Sequence, residues 1–290
     1  MVAHAERVER RLPALLPLES ERPEAVHRAL RYAALGVGKR IRPILTLAVA
    51  EMLGAPPRDA AIDVACAVEL VHACSLALDD LPAMDDAELR RGRPTLHRAF
   101  GEDVAILAAF ALLSRAFQLV ADGGQALGLR RYAPEDLVHL LADAIGTSGL
   151  VGGQALDLAS RPEELDLERL EYIHSHKTGA LFEAAAELGA MIADARRRDL
   201  EAVGRFAKNL GLAFQIEDDL LDVLATPDET GKDVHQDAAK VTFVDLLGVE
   251  GAQALADELL VFAVESLSPF GRRAEPLRAL AAFVGASARR

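Results

Sequence analysis

The sequence of 290 residues has no tryptophan, and its two cysteines are Cys66 and Cys74. They are separated by eight residues of a predicted helix, which places their α-carbons about 12 Å apart, beyond the reach of a disulfide. So few cysteines exclude a small secreted domain held together by disulfides. We therefore expect a reducing compartment, the cytoplasm.

Positive charge is also scarce, since 32 Lys and Arg face 45 Asp and Glu, for a net charge of −13. This balance disfavours a general nucleic-acid binder. Residues 1–11 are charged and lack the apolar core of a signal peptide. We see no uncharged apolar run long enough to cross a bilayer, so we expect no transmembrane segment.

Hydrophobic residues make up 51% of the chain, and alanine and leucine dominate them. This composition favours helices over strands. No fixed-period repeat and no long polar linker divides the chain, so we predict one all-α domain over residues 1–290. The predicted helices that matter most for function are Ile44–Leu53, Ala60–Leu81, Gly101–Val120 (ended by Asp122-Gly123-Gly124), Glu135–Gly149 and Leu200–Leu224.

A first acidic cluster, Asp79, Asp80 and Asp85, follows the apolar run Ala65–Leu78. Carboxylates carried into a protein interior need a metal ion or a basic partner. Pro82 should end or kink the helix, because it removes a backbone donor. Such a break would let Asp85 turn back to the side of Asp79.

A second acidic cluster lies in another helix-patterned run and contains Asp218, Asp219 and Asp222. Their spacing places all three on one side of a helix, where like charges repel unless a cation intervenes. Mg²⁺ prefers carboxylate and phosphate oxygens. Two such clusters facing each other would hold a Mg²⁺-bound diphosphate; the alternative is that each cluster is a solvated charge run.

Seven segments, taken together, resemble the trans-prenyltransferases, the short-chain polyprenyl diphosphate synthases. The segments cover roughly residues 30–245 in the family's order: Gly38–Pro43, Glu69–His72, Asp79–Asp85 with Arg90–Gly92, Gly152–Asp157, His176–Gly179, Phe214–Asp222 and Thr230–Asp233. The resemblance implies a single-domain bundle of ten or more helices around a deep central cavity. It also implies an enzyme that condenses isopentenyl diphosphate with allylic diphosphates, with Mg²⁺ as cofactor.

The resemblance also assigns roles to individual residues. The Mg²⁺ ligands would be the six aspartates of the two acidic clusters. The catalytic residues would be Asp79, Asp80, Asp85, Asp218, Lys177, Thr178 and Gln215. Lys39, Arg42, His72 and Arg91 would hold the homoallylic diphosphate, Arg90 and Lys177 the allylic one, and Lys232 would fold over the diphosphate as part of a lid. Thr178 and Gln215 would stabilise the carbocation, and Gln154 and Asp157 would have supporting roles. His174 and His176 are interpreted as structural. Val241 follows Lys240 where the family has a small hydroxyl residue, which leaves a hydroxyl contact there in doubt.

Product length depends on residues about one turn before the first acidic cluster, by the same resemblance. Here these are Cys74 and Ser75, both small. With a likeness to bacterial geranylgeranyl diphosphate synthases of carotenoid pathways, they predict a twenty-carbon product; a farnesyl diphosphate synthase is the alternative. A terpene cyclase and a non-catalytic subunit of a heteromeric synthase are two further alternatives. The family is usually homodimeric, and the uncharged helix at Gly101–Leu113 is a candidate interface.

Overall fold

The computed structural model describes residues 2–224 and 241–287. Nearly all of these residues belong to helices or short turns. The helices are α1 (Val2–Leu15), α2 (Glu24–Ala34), α3 (Ile41–Met52), α4 (Asp59–Asp79), α5 (Leu96–Phe100), α6 (Glu102–Leu127), α7 (Pro134–Ile145), α8 (Leu150–Ala159), α9 (Leu167–His174), α10 (Ala180–Ile192), α11 (Arg197–Leu224), α12 (Phe243–Ser266) and α13 (Glu275–Gly285). A π-helical turn, Ser175–Gly179, joins α9 to α10, and 3₁₀ turns occur at Pro162–Glu164 and Ser268–Ala274. The predicted all-α fold is confirmed.

A two-stranded antiparallel hairpin, β1 (Leu89–Arg90) and β2 (Arg93–Pro94), is the one sheet among the described residues. It follows α4 and leads into α5. Its two-residue loop is Arg91-Gly92, and both residues have positive φ, 53° and 72°. This is the backbone of a type I′ turn, which matches the twist of short hairpins.

Helix α4 lies in the middle of the bundle and packs against α1, α2, α3, α6 and α10. Small side chains such as Ala65, Ala67 and Ala73 are buried along it, which lets neighbouring helices approach closely. A helix that is apolar on several sides is typical of a buried core element. Because α4 ends at Asp79, the first acidic cluster lies at the end of the central helix of the bundle.

Helix α6 is longer than we predicted, because Gly123 and Gly124 lie inside it and do not end it. A β-carbon on Gly123 would lie 3.2 Å from the carbonyl oxygen of Ala60 on α4. The two glycines therefore provide room for close packing, and the helix ends at Gly128 in the left-handed conformation. Close packing of Gly123 against α4 and of Gly124 against Pro134 of α7, which the sequence does not reveal, outweighs the glycines' low helix propensity.

Two helices, α4 and α6, are long and apolar enough to span a membrane by length and composition alone. Both helices contain charged residues, Asp63 and Glu69 in α4 and Arg115 in α6, so neither is the uncharged run that we expected the chain to lack. The test is weak evidence, since a core helix passes it, and the relevant window of α4 is 67% buried inside the bundle. That the protein has no transmembrane segment stays a prediction.

Candidate active site

A cavity of about 750 Å³ opens between α3, α4, α8, α11 and the hairpin. Most of the predicted site residues line it: Lys39, Arg42, His72, Ser75, Asp79, Asp85, Arg90, Arg91, Gln154, Asp157, Lys177, Thr178, Gln215, Asp218, Asp219 and Asp222. Lys232 lies outside the described residues. The predicted convergence of the two acidic clusters on one cavity is confirmed by the geometry, and the chemical roles stay predictions.

The first acidic cluster is shaped by the loop after α4. The Asp85 amide donates to the carbonyl oxygen of Asp79 at 2.9 Å, and the Asp86 amide donates to that of Leu81 at 3.1 Å. These bonds turn the chain back on itself, as the break at Pro82 predicts. Burial raises the pKa of Asp79 to about 6, opposed by Lys177 and reinforced by Asp85. Two carboxylates held together in this way favour binding of a divalent cation.

Asp80 differs from its neighbours, because it does not line the cavity. Its side chain is buried and accepts from Arg90, with Nε at 2.8 Å and Nη2 at 2.6 Å from Oδ1. Such a forked arginine–carboxylate pair fixes the orientation of both groups. In this structure Asp80 therefore positions Arg90, and its predicted role as a metal ligand stays a prediction.

The second acidic cluster lies near the end of α11. Asp219 is buried, and its two oxygens accept from Gln215 Nε2 at 3.0 Å and from the Phe243 amide at 3.0 Å. Gln215 in turn accepts from the Thr178 hydroxyl at 3.1 Å. Asp219 thus anchors the first turn of α12 and orients Gln215 and Thr178. Asp218, Asp219 and Asp222 all lie on the cavity wall.

The π-helical turn Ser175–Gly179 brings Lys177 and Thr178 to the cavity. Lys177 Nζ lies 2.6 Å from Asp157 Oδ2 on α8. Helix α8 can come this close because Gly153 faces the backbone of Lys177, where a β-carbon would lie 2.7 Å from the Lys177 α-carbon. The π-helical geometry, which often marks functional sites, was not predicted.

The predicted homoallylic site combines cations from the turn before α3, from α3 and from the hairpin with the imidazole of His72 on α4. The guanidinium of Arg42 stacks on Phe182 at 4.6 Å from the ring centroid, and burial lowers its pKa to about 10. Burial and then Arg42 lower the pKa of His72, so this imidazole is neutral near pH 7. A neutral imidazole can still donate one N–H to a phosphate oxygen.

Arg91 reaches this group from the hairpin. Its Nη1 donates to the carbonyl oxygen of Val37 at 2.6 Å, beside the turn that leads to α3. Because Arg91 has a left-handed backbone, its side chain leaves in a different direction from that of Arg90, which pairs with Asp80. One hairpin therefore supplies a cation to each of the two predicted diphosphate sites.

The predicted chain-length residues are separated by the structure. Ser75 lies on the cavity wall with His72, Leu76 and Asp79, which share one face of α4. Cys74 is not on that wall; it is 5% exposed and packed in the hydrophobic core. The prediction that both residues line the cavity is therefore wrong for Cys74, because a step of one residue rotates a side chain by about 100° around a helix.

Three titratable cavity residues were not among the predicted site residues. His174, interpreted as structural from the sequence, lines the cavity and contacts the ring of Phe243 at 5.5 Å between centroids. Glu69 and Arg40 also lie at the wall, joined by a 2.7 Å ion pair. Both belong to segments that the sequence marks, Gly38–Pro43 and Glu69–His72, but burial of a paired charge cannot be read from spacing.

Comparison with known proteins fits this arrangement. The family model for polyprenyl synthetases matches residues 23–261. The chain belongs to the polyprenyl synthetase family. Geranylgeranyl pyrophosphate synthase 11 of Arabidopsis thaliana, a chloroplastic protein, is 44% identical over 98% of this chain and 80% of its own length. The large subunit 1 of a heterodimeric geranylgeranyl pyrophosphate synthase from the same plant is 42% identical over 98% and 77%.

Solved polyprenyl synthetase structures share the fold. A geranyltransferase from Helicobacter pylori, solved with magnesium and isoprenyl diphosphate, superposes with a TM-score of 0.85 at 32% identity, over 98% of this chain and 96% of its own. An FPP/GFPP synthase from Zymomonas mobilis superposes with a TM-score of 0.83 at 34% identity, with the same coverage. The family membership inferred from the seven segments is confirmed.

Proposed function

We propose that this polyprenyl synthetase condenses isopentenyl diphosphate with allylic diphosphates, in the presence of Mg²⁺, to form geranylgeranyl diphosphate. The supporting observation is the placement of two acidic clusters on one cavity wall beside a separate group of cations. Asp79, Asp85, Asp218 and Asp222 offer the carboxylate oxygens that a hard divalent cation prefers. Among the described residues no three such side chains form a metal site by themselves, so diphosphate oxygens would complete the coordination. Bound Mg²⁺ would neutralise charge that develops on the leaving diphosphate.

Two separate groups of side chains would bind the diphosphates of the two substrates. Lys177 and Arg90 would bind the allylic diphosphate, and Lys39, Arg42, His72 and Arg91 the homoallylic one. When the allylic C–O bond breaks, its electron pair leaves with the diphosphate, and the double bond of isopentenyl diphosphate attacks the cation. Thr178 and Gln215, which line the cavity and are hydrogen-bonded to each other, would stabilise this positive charge with their oxygens. The proton lost from the product passes to the released diphosphate.

A chain of twenty carbons requires a wall without a bulky obstruction near the first acidic cluster. Ser75 provides that opening, because its hydroxyl donates to the carbonyl oxygen of His72 at 2.9 Å and so lies against its own helix. The names of the Arabidopsis thaliana relatives, geranylgeranyl pyrophosphate synthases, support the same product length.

We further propose that two copies associate through α6. Its exposed side carries Ile106, Leu107 and Phe110, and Phe110 is 66% exposed. A contiguous apolar stripe of this kind is typical of a protein interface. A heteromeric partner is the alternative, since one relative is a subunit of a heterodimer. We keep a cytoplasmic location as a proposal, which the free thiols of Cys66 and Cys74 support.

The test is a product assay. Purified protein is incubated with Mg²⁺, isopentenyl diphosphate and, separately, dimethylallyl, geranyl or farnesyl diphosphate, and products are sized by mass. We expect a twenty-carbon diphosphate, and at least a 100-fold lower rate for Asp79→Asn. The control is Asp63→Asn, on the same helix but paired with Arg11 at 2.6 Å outside the cavity.

The remaining outcomes of this assay separate the alternatives. Accumulation of a fifteen-carbon product would identify a farnesyl diphosphate synthase and disprove the proposed chain length. Cyclised hydrocarbons would indicate a terpene cyclase. No turnover with any primer would refute the proposal and favour a non-catalytic subunit.

A further inference from the structure

Arg40 lies between two residues proposed to bind diphosphate, Lys39 and Arg42, yet its own side chain is only 3% exposed. Each part of its guanidinium has an acceptor: Nε donates to Glu9 at 2.7 Å, Nη1 to Glu69 at 2.7 Å and Nη2 to the Gly36 carbonyl oxygen at 2.6 Å. These bonds use three of the five N–H groups of the guanidinium and hold it against acceptors of the protein itself. The side chain of Arg40 therefore acts on the neighbouring groups that it holds in place.

The backbone of Arg40 gives the first indication. It has φ 49° and ψ 36°, the left-handed conformation, directly before the first residue of α3. A residue other than glycine persists in that region only where its surroundings hold it there. The three acceptors, which come from α1, α4 and the turn before α3, supply such a hold.

The chain therefore changes direction within the four residues from Lys39 to Arg42. Arg40 borders the cavity but directs its guanidinium to Glu69. Lys39 and Arg42, before and after it in the sequence, line the same cavity. The left-handed residue Arg40 lies between Lys39 and the first turn of α3, which carries Arg42, so its conformation sets the path of the chain from one cation to the other. The buried contacts of Arg40 therefore fix where both cations stand.

Glu69 connects this arrangement to the rest of the homoallylic site. Its side chain is 5% exposed, and it lies three residues before His72 on the same face of α4. Its charge also raises the pKa of Arg42 and of Arg91, in opposition to burial, which lowers both. One buried carboxylate thus contacts the residue that sets the turn and offsets repulsion among the nearby cations.

We infer that Arg40 and Glu69 form a positioning pair for the homoallylic diphosphate: they fix the turn that aligns Lys39 and Arg42 and contact no substrate themselves. The inference rests on the proposed function, since it assumes that isopentenyl diphosphate binds at Lys39 and Arg42. It predicts an effect on this substrate and little effect on the allylic one, whose proposed contacts lie on other elements.

Arg40→Lys is the decisive variant. Lysine keeps the charge, and its cost in the left-handed region is similar, but its single ammonium cannot contact Glu9, Glu69 and the Gly36 carbonyl in the same fork. We expect the KM for isopentenyl diphosphate to rise at least tenfold, and the KM for farnesyl diphosphate to stay within twofold. The ratio of the two KM values does not depend on the folded fraction, so partial unfolding cannot produce the split.

The variant Glu69→Gln distinguishes a positioning role of Glu69 from the effect of its negative charge on the neighbouring cations. Removing a negative charge beside the cations would tighten isopentenyl diphosphate binding if Glu69 acted only through its field. Positioning predicts weaker binding instead, at least threefold by calorimetry with isopentenyl diphosphate alone, a mixture in which no condensation occurs. Asp63→Asn is the matched control, because it weakens another α1–α4 ion pair, that of Arg11, away from the cavity.

The outcomes are distinguishable. An inactive wild-type protein would contradict the proposed function itself. An active wild-type protein with equal changes in both KM values for Arg40→Lys would overturn the inference alone, as would tighter binding by Glu69→Gln. A KM split for Asp63→Asn would also overturn it, because general loosening between α1 and α4 would then explain the effect.

Discussion

Gly153→Ala is the substitution whose effect the structure determines most directly. Gly153 lies inside α8, and its α-carbon faces the π-helical turn that carries Lys177. A β-carbon there would lie 2.7 Å from the Lys177 α-carbon and 2.8 Å from the His176 carbonyl carbon, with the Lys177 nitrogen closer still. Since carbon atoms pack at about 3.5–4.0 Å, α8 and the turn must separate by roughly 1 Å.

Two effects of opposite sign act on stability. Alanine favours a helix over glycine by about 1 kcal/mol. Overpacking against a backbone, which has no flexible end to move aside, costs about 1–3 kcal/mol. The net loss is about 0–2 kcal/mol, so we expect the Tm to fall by up to roughly 6 °C for a chain of this size.

The effect on rate should be larger than the effect on stability. A separation of about 1 Å between α8 and the turn would displace Lys177 from Asp157, now 2.6 Å apart, and shift the cation relative to the cavity. A misplacement of that size can cost on the order of 100-fold in rate. We therefore expect kcat for condensation to fall about 30- to 100-fold, with the folded protein still present.

The assays are steady-state condensation kinetics and thermal unfolding followed by circular dichroism. Gly251→Ala on α12 is the control, since the nearest atom to its β-carbon would be the side chain of Leu247 at 3.0 Å, in the same helix. It should leave kcat unchanged and the Tm equal or higher. If Gly153→Ala kept kcat within twofold and its Tm within 1 °C, the close approach would not control the site.

Three further predictions concern separate parts of the molecule. Ser75→Tyr should shorten the product to fifteen carbons or fewer by mass, whereas Cys74→Tyr should lower Tm by overpacking the core without a specific shortening. Burial and then Glu183 raise the pKa of Glu187 to about 7. The neutral form therefore stabilises the fold, fully below about pH 4.5, and this stabilisation is lost as pH rises through 7, so Glu187→Gln should raise Tm at pH 8 more than at pH 5. Equal shifts at both pH values would contradict it. Phe110→Glu should yield monomers by sedimentation, whereas Phe262→Glu, at a residue 46% exposed on α12, should not; an unchanged dimer would exclude α6 as the interface.

Much of the fold could be predicted because its signals are local. Pro82 removes a backbone donor at the end of α4, and Asp166 caps α9 by accepting from the Arg169 amide at 2.9 Å. Helical spacing alone placed Asp218 and Asp222 on one wall. These features depend on a few neighbouring residues, which a sequence displays.

The rest depends on what lies across the core. Nothing adjacent to Asp80 in the sequence shows that Arg90 will pair with it, and the left-handed turn at Arg40 depends on acceptors from α1 and α4. The glycines of α6 resemble a helix end in the sequence, but in the structure Gly123 packs against α4 and Gly124 against α7. Tertiary contacts of this kind override local propensity, and spacing carries no record of them.

The turn at Arg91-Gly92 implies a trade-off between stability and activity. A type I′ turn favours asparagine or glycine at its first position, and arginine there costs on the order of 1 kcal/mol. Arg91→Asn would relax the backbone and stabilise the hairpin, yet it would remove the cation that lies against the Val37 carbonyl. Optimising this loop for stability alone would therefore select against its proposed contribution to substrate binding, so engineering of the enzyme must leave this strained residue in place.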